Sequence, residues 1–257
     1  ASGFYSRADF IEILRYATAR HIQIIPEIET PGHARAAIKS MDARYRKFMA
    51  EGNRAEALKY LLRDTMDQSK YSTAQAWTDN VMCVALPSVY TFIEQVVDDI
   101  RGIYKEADAP LSTIHMGGDE VPAGVWEGSL ECKTLIEKDP TLENVDDLWY
   151  YYFTKVQKIL EQRGLELSGW EEVGMRKTKL QGQSKLIVNP RLANEGYRLH
   201  VWNNMVGWGN EDLPYRLANA GYKVILSPVS NYYFDMSYLR SPEEPGYYWG
   251  GFTDADK

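Results

Sequence analysis

The sequence predicts an α/β fold of the (β/α)8 TIM-barrel type, and two observations support this prediction. Short runs rich in β-branched residues alternate with amphipathic helical segments, a pattern typical of parallel sheets. The length of 257 residues also suits one barrel, which takes roughly 250 residues. Because periodicity identifies only about five strands, we expect an incomplete barrel.

The first half of the chain contains two predicted helices and two predicted strands. Ser6 and Asp9 form a capping-box-like start, and apolar residues follow at helical spacing. Residues 21–29 are rich in isoleucine and predict a buried strand. A long amphipathic helix is expected after Pro87, followed by a strand at 111–116.

The same alternation continues in the second half. The predicted elements are a helix at 146–163, strands at 165–170 and 199–203, a helix at 211–220 and a strand at 223–227. The polar stretch 43–80 is expected to be a long insertion, partly helical near 54–62. Since no linker or repeat divides the chain, we expect a single domain over residues 1–257.

Composition and charge exclude several classes of protein. Lys and Arg number 29 and Asp and Glu number 36, so the net charge of −7 argues against a nucleic-acid binder. No stretch approaches the roughly 18 apolar residues of a membrane span. Cys83 and Cys132 are too few for a disulfide scaffold or a cysteine-rich zinc site. The chain starts without Met or a signal sequence, so we expect a processed product or part of a longer chain.

Polar side chains follow the carboxyl ends of the predicted strands, where parallel α/β folds place their active sites. Carboxylates, histidines and aromatic rings recur in five such segments: 27–33, 115–120, 169–172, 202–204 and 231–235. We therefore expect these side chains to converge on one rim of the sheet.

Asp119 and Glu120 are the sharpest candidates for catalysis. Adjacent residues on a regular strand point to opposite faces, but Gly117 and Gly118 let the backbone leave strand geometry. Two carboxyls in one site move each other's pKa values apart, so one would keep a proton while the other stays ionised. Glycoside cleavage needs this division of roles. The alternative is a solvated pair of acids in a loop.

Several motifs resemble one enzyme family. The strings HMGGDE at 115–120 and PEIETPGH at 26–33 are similar to those of glycoside hydrolase family 20, the β-N-acetylhexosaminidases. The strings GWEE at 169–172 and YFD at 233–235 match later motifs of the family in the right order. The resemblance runs from the first helix to about Trp249.

The resemblance implies retaining hydrolysis in which the substrate takes part, through an oxazolinium-like intermediate. By this resemblance Glu120 is the general acid and then the base, and Asp119 orients the acetamido group of the substrate. Tyr233 would donate a hydrogen bond to the acetamido oxygen. The substrate would be a glycan with a terminal β-linked N-acetylhexosamine. No cofactor and no metal are implied.

The resemblance also implies residues that surround the sugar. The tryptophans expected to form its walls are Trp170, Trp202 and Trp249. The residues expected to support the site are His33, His115 and Glu172. Among these, His33 would belong to the network that tunes Glu120. Asp235 would bind a sugar hydroxyl.

Other interpretations stay open at this point. The tryptophans could be core residues, and His33 could cap the helix that follows it. A metal site built from His33, His115 and Asp119 lacks tight ligand spacing. A silent or incomplete barrel that only binds carbohydrate would keep the aromatic residues but need not keep both acids. A metal-dependent hydrolase on the same fold is the remaining alternative.

The sequence also departs from the family pattern. Glu29 stands where the family usually has Asp, so we do not count it as catalytic. The family's early arginine-bearing strand and its closing strand with Trp and Glu are not found, so we expect about strands 3 to 7. Open barrel edges would favour self-association. The family implies a periplasmic, extracellular or lysosomal location and leaves the choice between GlcNAc and GalNAc open.

Overall fold

A computed structural model describes residues 3–180 and 183–252. Its α-helices are α1 (Arg7–Thr18), α2 (Arg35–Ala50), α3 (Arg54–Leu58), α4 (Pro87–Ala107), α5 (Leu130–Lys138), α6 (Asp147–Glu161), α7 (Leu213–Asn219) and α8 (Val229–Tyr232). Its strands are β1 (Glu27–Thr30), β2 (Thr113–Gly117), β3 (Glu166–Trp170), β4 (Met175–Leu180), β5 (Gln183–Val188), β6 (Arg198–Val201) and β7 (Lys223–Leu226). None of the described helices is long and apolar enough to cross a membrane.

Five strands form one sheet in the order β1, β2, β3, β6 and β7, and the other two form a separate hairpin. β1 runs parallel to β2, with Glu27 opposite His115 and Thr30 opposite Gly117. β6 runs parallel to both β3 and β7. The predicted α/β fold with about five parallel strands is therefore confirmed.

The chain forms two compact units, residues 1–167 and 168–257, and the boundary falls within β3. The expectation of a single domain stays a prediction. In the first unit, α1 and α4 share a small core that includes Leu14 and Tyr104. The predicted capping box of α1 is confirmed, because Ser6 Oγ accepts the Asp9 N–H at 3.2 Å and the Asp9 carboxylate accepts the Ser6 N–H at 2.9 Å.

The predicted strand at 21–29 is wrong in its first part, since β1 begins only at Glu27. His21 has a left-handed backbone with φ of 57° in the turn after α1. Ile24 packs against the core between α1 and α4, and its carbonyl accepts the Tyr104 hydroxyl at 3.0 Å. Contacts with the helices therefore hold the residues around Ile24, and pairing with β2 starts at Pro26, whose carbonyl accepts the His115 N–H at 2.9 Å.

The predicted insertion at 43–80 begins inside α2, which is a longer helix than its polar sequence suggests. Residues 61–80 contain no helix or strand. Arg63 anchors them, because its Nε lies 2.8 Å from both carboxylate oxygens of the buried Asp42 on α2. This charged contact and the buried side chains of Leu61 and Leu62 hold the insertion in place.

The sequence analysis missed α5 and the hairpin of β4 and β5. α5 begins at a capping serine, since Ser129 Oγ accepts the Cys132 N–H at 3.2 Å. β4 pairs with β5 in antiparallel register along six residues. Its sequence MRKTKL is mostly polar, and Arg176 and Lys177 are exposed, so the strand lacks an apolar alternation.

Candidate active site

His33, Asp119 and Glu120 lie together beyond the carboxyl ends of β1 and β2. The His33 Nε2 atom is 3.4 Å from Asp119 Oδ2 and 3.3 Å from Glu120 Oε2. The exposed side-chain fraction is 18% for Asp119 and 37% for Glu120, so a ligand can reach both acids. Glu29 hydrogen-bonds to Asp119. We call these four residues the acid–histidine cluster.

The backbone brings the two acids to one place by leaving strand geometry after β2. Gly117 and Gly118 have φ angles of 69° and 96°, and Glu120 has a φ of 50°. His33 is also left-handed, with a φ of 47°. Such conformations cost about 1–3 kcal/mol in residues other than glycine and cluster at functional sites. The predicted departure from regular strand geometry is confirmed.

Glu29 is the acid of the cluster that holds a proton. Burial raises its pKa to about 9, and the negative charge of Asp119 adds to the shift. A neutral Glu29 can donate its hydrogen bond to Asp119. Its close approach depends on Gly117, because a Cβ atom there would lie 2.5 Å from Glu29 Oε2. Sequence analysis set Glu29 aside, although its place in the PEIETPGH string was the available signal.

His33 is a cation at neutral pH. Its hydrogen bonds to Asp119 and Glu120 raise its pKa to about 10, against the opposing effect of burial. Burial also opposes ionisation of Asp119, but hydrogen bonds from His33 and Glu29 outweigh it and lower the pKa of Asp119. The hydrogen bond from His33 lowers the pKa of Glu120 as well. Both Asp119 and Glu120 therefore have lowered pKa values, and Glu29 holds the proton of the cluster. The expected division of protons between Asp119 and Glu120 stays a prediction.

The two predicted supporting histidines have different environments. His33 does not cap α2, since that helix begins after Ala34 without a side-chain cap. His115 is buried in β2, and its Nδ1 atom accepts the Gly117 N–H at 3.3 Å. The same atom lies 3.3 Å from Glu27 Oε1. His115 therefore contacts the turn that leads to the acids.

The end of the insertion and the residues directly after it form hydrogen bonds with the loop that carries His33. The Ala34 N–H donates to the Asn80 carbonyl at 2.9 Å, and the Met82 N–H donates to the Pro31 carbonyl at 2.8 Å. These backbone bonds fix the loop on both sides of His33. The position of this histidine therefore depends on the insertion as well as on β1.

The insertion and the residues directly after it also contact Glu120 and the loop that follows it. The indole N–H of Trp126 donates to the Met82 carbonyl at 2.8 Å. The Gln75 side chain hydrogen-bonds to Glu120 and contributes to its lowered pKa. Sequence analysis did not identify Gln75, because nothing in a polar loop sequence indicates which side chain turns toward an active site.

His33, Asp119 and Glu120 are also a candidate metal site. In the part of the chain that the structure describes, they form a trio whose ligand atoms lie within 4.8 Å of one another. Imidazole and carboxylate are ligands that zinc accepts. Metal binding would have to remove the proton of His33, because only neutral imidazole coordinates a cation. His115 is not a member of this trio, so the metal set considered from the sequence is not the one found.

In the second unit, Trp202, Tyr233 and Trp249 form an aromatic cluster. Trp202 and Tyr233 are stacked, with ring centroids 6.5 Å apart and 21° between the ring planes. Trp249 meets both rings edge-on, at 6.1 Å from Trp202 and 5.9 Å from Tyr233. Trp202 is buried, whereas Trp249 is 41% exposed. The structure thus brings together three residues that the sequence predicts for the site.

Comparison with known proteins decides the family. A family model described as the catalytic domain of glycosyl hydrolase family 20 matches residues 1–257. The chain belongs to glycoside hydrolase family 20. It is 41% identical over 258 residues to a β-hexosaminidase of Vibrio vulnificus, covering 100% of this chain and 29% of that protein. It is 34% identical over 278 residues to the N,N'-diacetylchitobiase of Vibrio harveyi, covering 96% of this chain and 30% of that protein.

A solved family 20 structure has the same fold. It is the exo-β-N-acetylglucosaminidase of Vibrio harveyi in complex with N-acetylglucosamine, which matches with a TM-score of 0.75 and 29% sequence identity. The match covers 99% of this chain and 33% of that chain. This family 20 chain therefore spans about a third or less of the length of these relatives.

Glu171 is a structural acid of this family 20 chain that sequence analysis missed. Its buried carboxylate accepts the backbone N–H groups of Trp202 at 3.0 Å and Asn203 at 3.2 Å. It therefore fixes the backbone at the base of the aromatic cluster. The predicted supporting residue Glu172 is partly buried in the 3₁₀ turn Glu171–Gly174. The GWEE string contains two adjacent glutamates, and the sequence does not indicate which of their side chains is buried.

Two other predicted residues of the family 20 motifs have contacts of their own. Trp170 is partly buried and packs edge-on against His200, with ring centroids 6.0 Å apart. Asp235 has an exposed side chain, and its backbone carbonyl accepts the Tyr247 N–H at 2.8 Å. These contacts hold Trp170 in the second unit and leave the Asp235 carboxylate accessible to a ligand.

Proposed function

We propose that this chain carries the catalytic acids of a β-N-acetylhexosaminidase, which removes terminal β-linked N-acetylhexosamine from glycans. One observation carries the proposal: the Nε2 atom of His33 lies 3.4 Å from Asp119 and 3.3 Å from Glu120. A single cation thus holds two adjacent carboxylates in one accessible place. The names of the Vibrio relatives support the choice of substrate class.

The proposed reaction has two steps, and the substrate's own acetamido group is the nucleophile of the first. In the first, the acetamido oxygen bonds to the anomeric carbon, the glycosidic C–O bond breaks, and Glu120 gives its proton to the leaving oxygen. In the second, Glu120 takes a proton from water, whose oxygen bonds to the anomeric carbon and opens the oxazolinium ring. Two inversions at one carbon retain its configuration.

Asp119 is proposed to orient the acetamido group and to balance the positive charge that develops on its nitrogen. This role requires an ionised carboxylate. Burial opposes ionisation, but the hydrogen bonds from His33 and Glu29 lower the pKa of Asp119. The neutral Glu29 adds no second negative charge beside it, which keeps the negative charge of the pair on Asp119.

Glu120 must gain a proton before it can act as the acid. Its hydrogen bond with His33 lowers its pKa, and 37% of its side chain is exposed to water. A bound sugar would remove that water, and loss of solvation raises the pKa of a carboxyl group. We propose that substrate binding itself converts Glu120 to its protonated form.

The aromatic cluster is proposed to bind the apolar face of a sugar ring. Flat aromatic rings suit the C–H faces of sugars and exclude water from them. Trp249 is the most exposed ring of the cluster and is the one proposed to meet the ligand. Glu171 would support this role by holding the backbone at Trp202.

A metal-dependent hydrolase is the second candidate, and the trio of His33, Asp119 and Glu120 is the observation that favours it. One assay separates the two candidates. An aryl β-N-acetylglucosaminide and the matching aryl β-glucoside, which lacks the acetamido group, are offered to the protein that carries this chain. We expect turnover of the first substrate alone, unchanged by EDTA. Equal turnover of both, or loss of activity in EDTA, would argue for the metal hydrolase.

A further inference from the structure

The two cysteines of the chain meet in the first unit. The sulfur atoms of Cys83 and Cys132 are 3.7 Å apart, although the residues are 49 positions apart in the sequence. Both are buried, and the sequence contains no other cysteine. Neither is assigned a part in the proposed hydrolysis. We propose that Cys83 and Cys132 form a disulfide bond that clamps the two segments supporting His33 and Glu120.

The groups around Cys83 and Cys132 suit the formation of a disulfide bond between them. The Ser129 hydroxyl lies 3.7 Å from the Cys83 sulfur, and it accepts the Cys132 N–H at 3.2 Å. The same hydroxyl donates to the buried Asp64 carboxylate at 2.8 Å, which fixes its direction. The backbone at the start of α5 therefore holds Cys132 in place beside Cys83.

The bond forms by exchange with an external disulfide, such as oxidised glutathione or a thiol–disulfide oxidoreductase. The Cys83 thiolate attacks the oxidant, forms a mixed disulfide and releases one thiol. Cys132 then loses its proton, attacks the Cys83 sulfur and releases the second thiol. The chain loses two protons and two electrons, and the oxidant is reduced to two thiols. The hydrogen bond from Cys132 lowers the pKa of Cys83 against the effect of burial, which favours Cys83 as the first nucleophile.

The two cysteines lie on two segments that are connected to His33 and to Glu120. Cys83 directly follows Met82, whose N–H donates to the Pro31 carbonyl in the loop that carries His33. Cys132 lies on α5, which follows the loop after Glu120. A covalent link between these segments therefore limits how far His33 can separate from Glu120. This consequence for activity rests on the proposed function, whereas the bond itself does not.

Intact mass decides whether the bond exists. The protein is refolded with oxidised glutathione, then denatured and treated with iodoacetamide without reductant. We expect no alkylation, and a mass about 2 Da below that of the reduced chain. Alkylation of both cysteines would overturn the proposal. This readout does not depend on catalysis, so it can fail or succeed independently of the proposed function.

Thermal unfolding decides whether the bond acts as a clamp. Dithiothreitol should lower the Tm of the oxidised protein by roughly 5–15 °C, since a bond that closes a long loop constrains the unfolded chain. The double variant Cys83→Ser and Cys132→Ser should have the lower Tm with or without the reductant. If the protein contains the disulfide and its Tm is unchanged by the reductant, the proposal that the bond clamps the two segments is wrong.

Discussion

At the ends of the neighbouring strands β1 and β2, the Glu29 side chain occupies the space that a side chain at position 117 would need. A Cβ atom at position 117 would lie 2.5 Å from the Glu29 Oε2 atom and 2.8 Å from the Thr30 backbone nitrogen. Thr30 is the register partner of Gly117, so the pairing of β1 and β2 prevents the backbone from moving away. The acid–histidine cluster therefore depends on a residue without a side chain.

Gly117→Ala should lower the free energy of unfolding by about 2–4 kcal/mol, because the clash adds to the strain of a left-handed alanine. Urea denaturation measures the change. The control is Gly102→Ala in α4, where nothing lies within 4 Å of the added Cβ atom. That variant should be neutral or up to about 1 kcal/mol more stable. Equal, small effects at both positions would contradict the close approach of Glu29.

The stability of the protein should fall as the pH rises above the ordinary range of a carboxyl group. The pKa of Glu29 is raised from 4.5 to about 9, so the folded state keeps a proton that the unfolded state releases. The contribution of Glu29 to the free energy of unfolding is complete below pH 4.5 and is lost as the pH rises toward 9. His33, raised from 6.5 to about 10, loses its contribution in the same direction, but between those two values.

Glu29→Gln separates the two contributions, because glutamine stays neutral at every pH. The unfolding free energy of this variant, measured in urea between about pH 5 and pH 9, should decline less steeply than that of the wild type. Glu12→Gln, on the exposed face of α1, should keep the wild-type slope. If Glu29→Gln also keeps that slope, Glu29 does not hold the proton.

His33→Gln should reduce kcat/KM by about 10–100-fold and change its pH dependence. The cation lowers the pKa of Asp119, which must be ionised for its proposed role, so loss of the cation should move the acid limb of the profile to higher pH. The profile is measured on an aryl β-N-acetylglucosaminide. His21→Gln changes an exposed histidine in the turn after α1 and should leave both rate and profile unchanged. An unshifted acid limb in His33→Gln would refute electrostatic control by His33.

The motifs predicted the central acids and His33 but not the charge that each carries. Asp119 and Glu120 were identifiable from the two glycines before them, since a local backbone feature is visible in the sequence. The proton on Glu29 was not, because it arises from burial and from the register that sets Thr30 opposite Gly117. Long-range pairing of this kind has no signature in either strand alone.

The same distinction separates the predicted helices from the missed elements. α4 was clear because its apolar residues recur on one face that packs in the core. The hairpin of β4 and β5 was missed, since the polar sequence MRKTKL of β4 has no alternation of apolar and polar residues. The meeting of Cys83 and Cys132 likewise depends on tertiary structure alone.

Trp249→Ala should weaken binding of N-acetylglucosamine by about 3–10-fold, which corresponds to the loss of one aromatic contact. Ligand titration followed by tryptophan fluorescence or calorimetry measures the Kd. The matched control is Trp208→Ala, because Trp208 is also exposed in the second unit, at 57% against 41% for Trp249. Equal effects of the two substitutions would contradict a role of the aromatic cluster in sugar binding.

Glu120→Gln tests the proposed role of Glu120 as general acid, with Glu137→Gln on the exposed side of α5 as the control of equal charge change. Hydrolysis of an aryl β-N-acetylglucosaminide is measured, together with the thermal unfolding of each variant. We predict that Glu120→Gln lowers kcat by about 10²–10⁴-fold with the fold intact, whereas Glu137→Gln keeps full activity. A folded Glu120→Gln protein that hydrolyses the substrate at the wild-type rate would show that Glu120 is not the general acid.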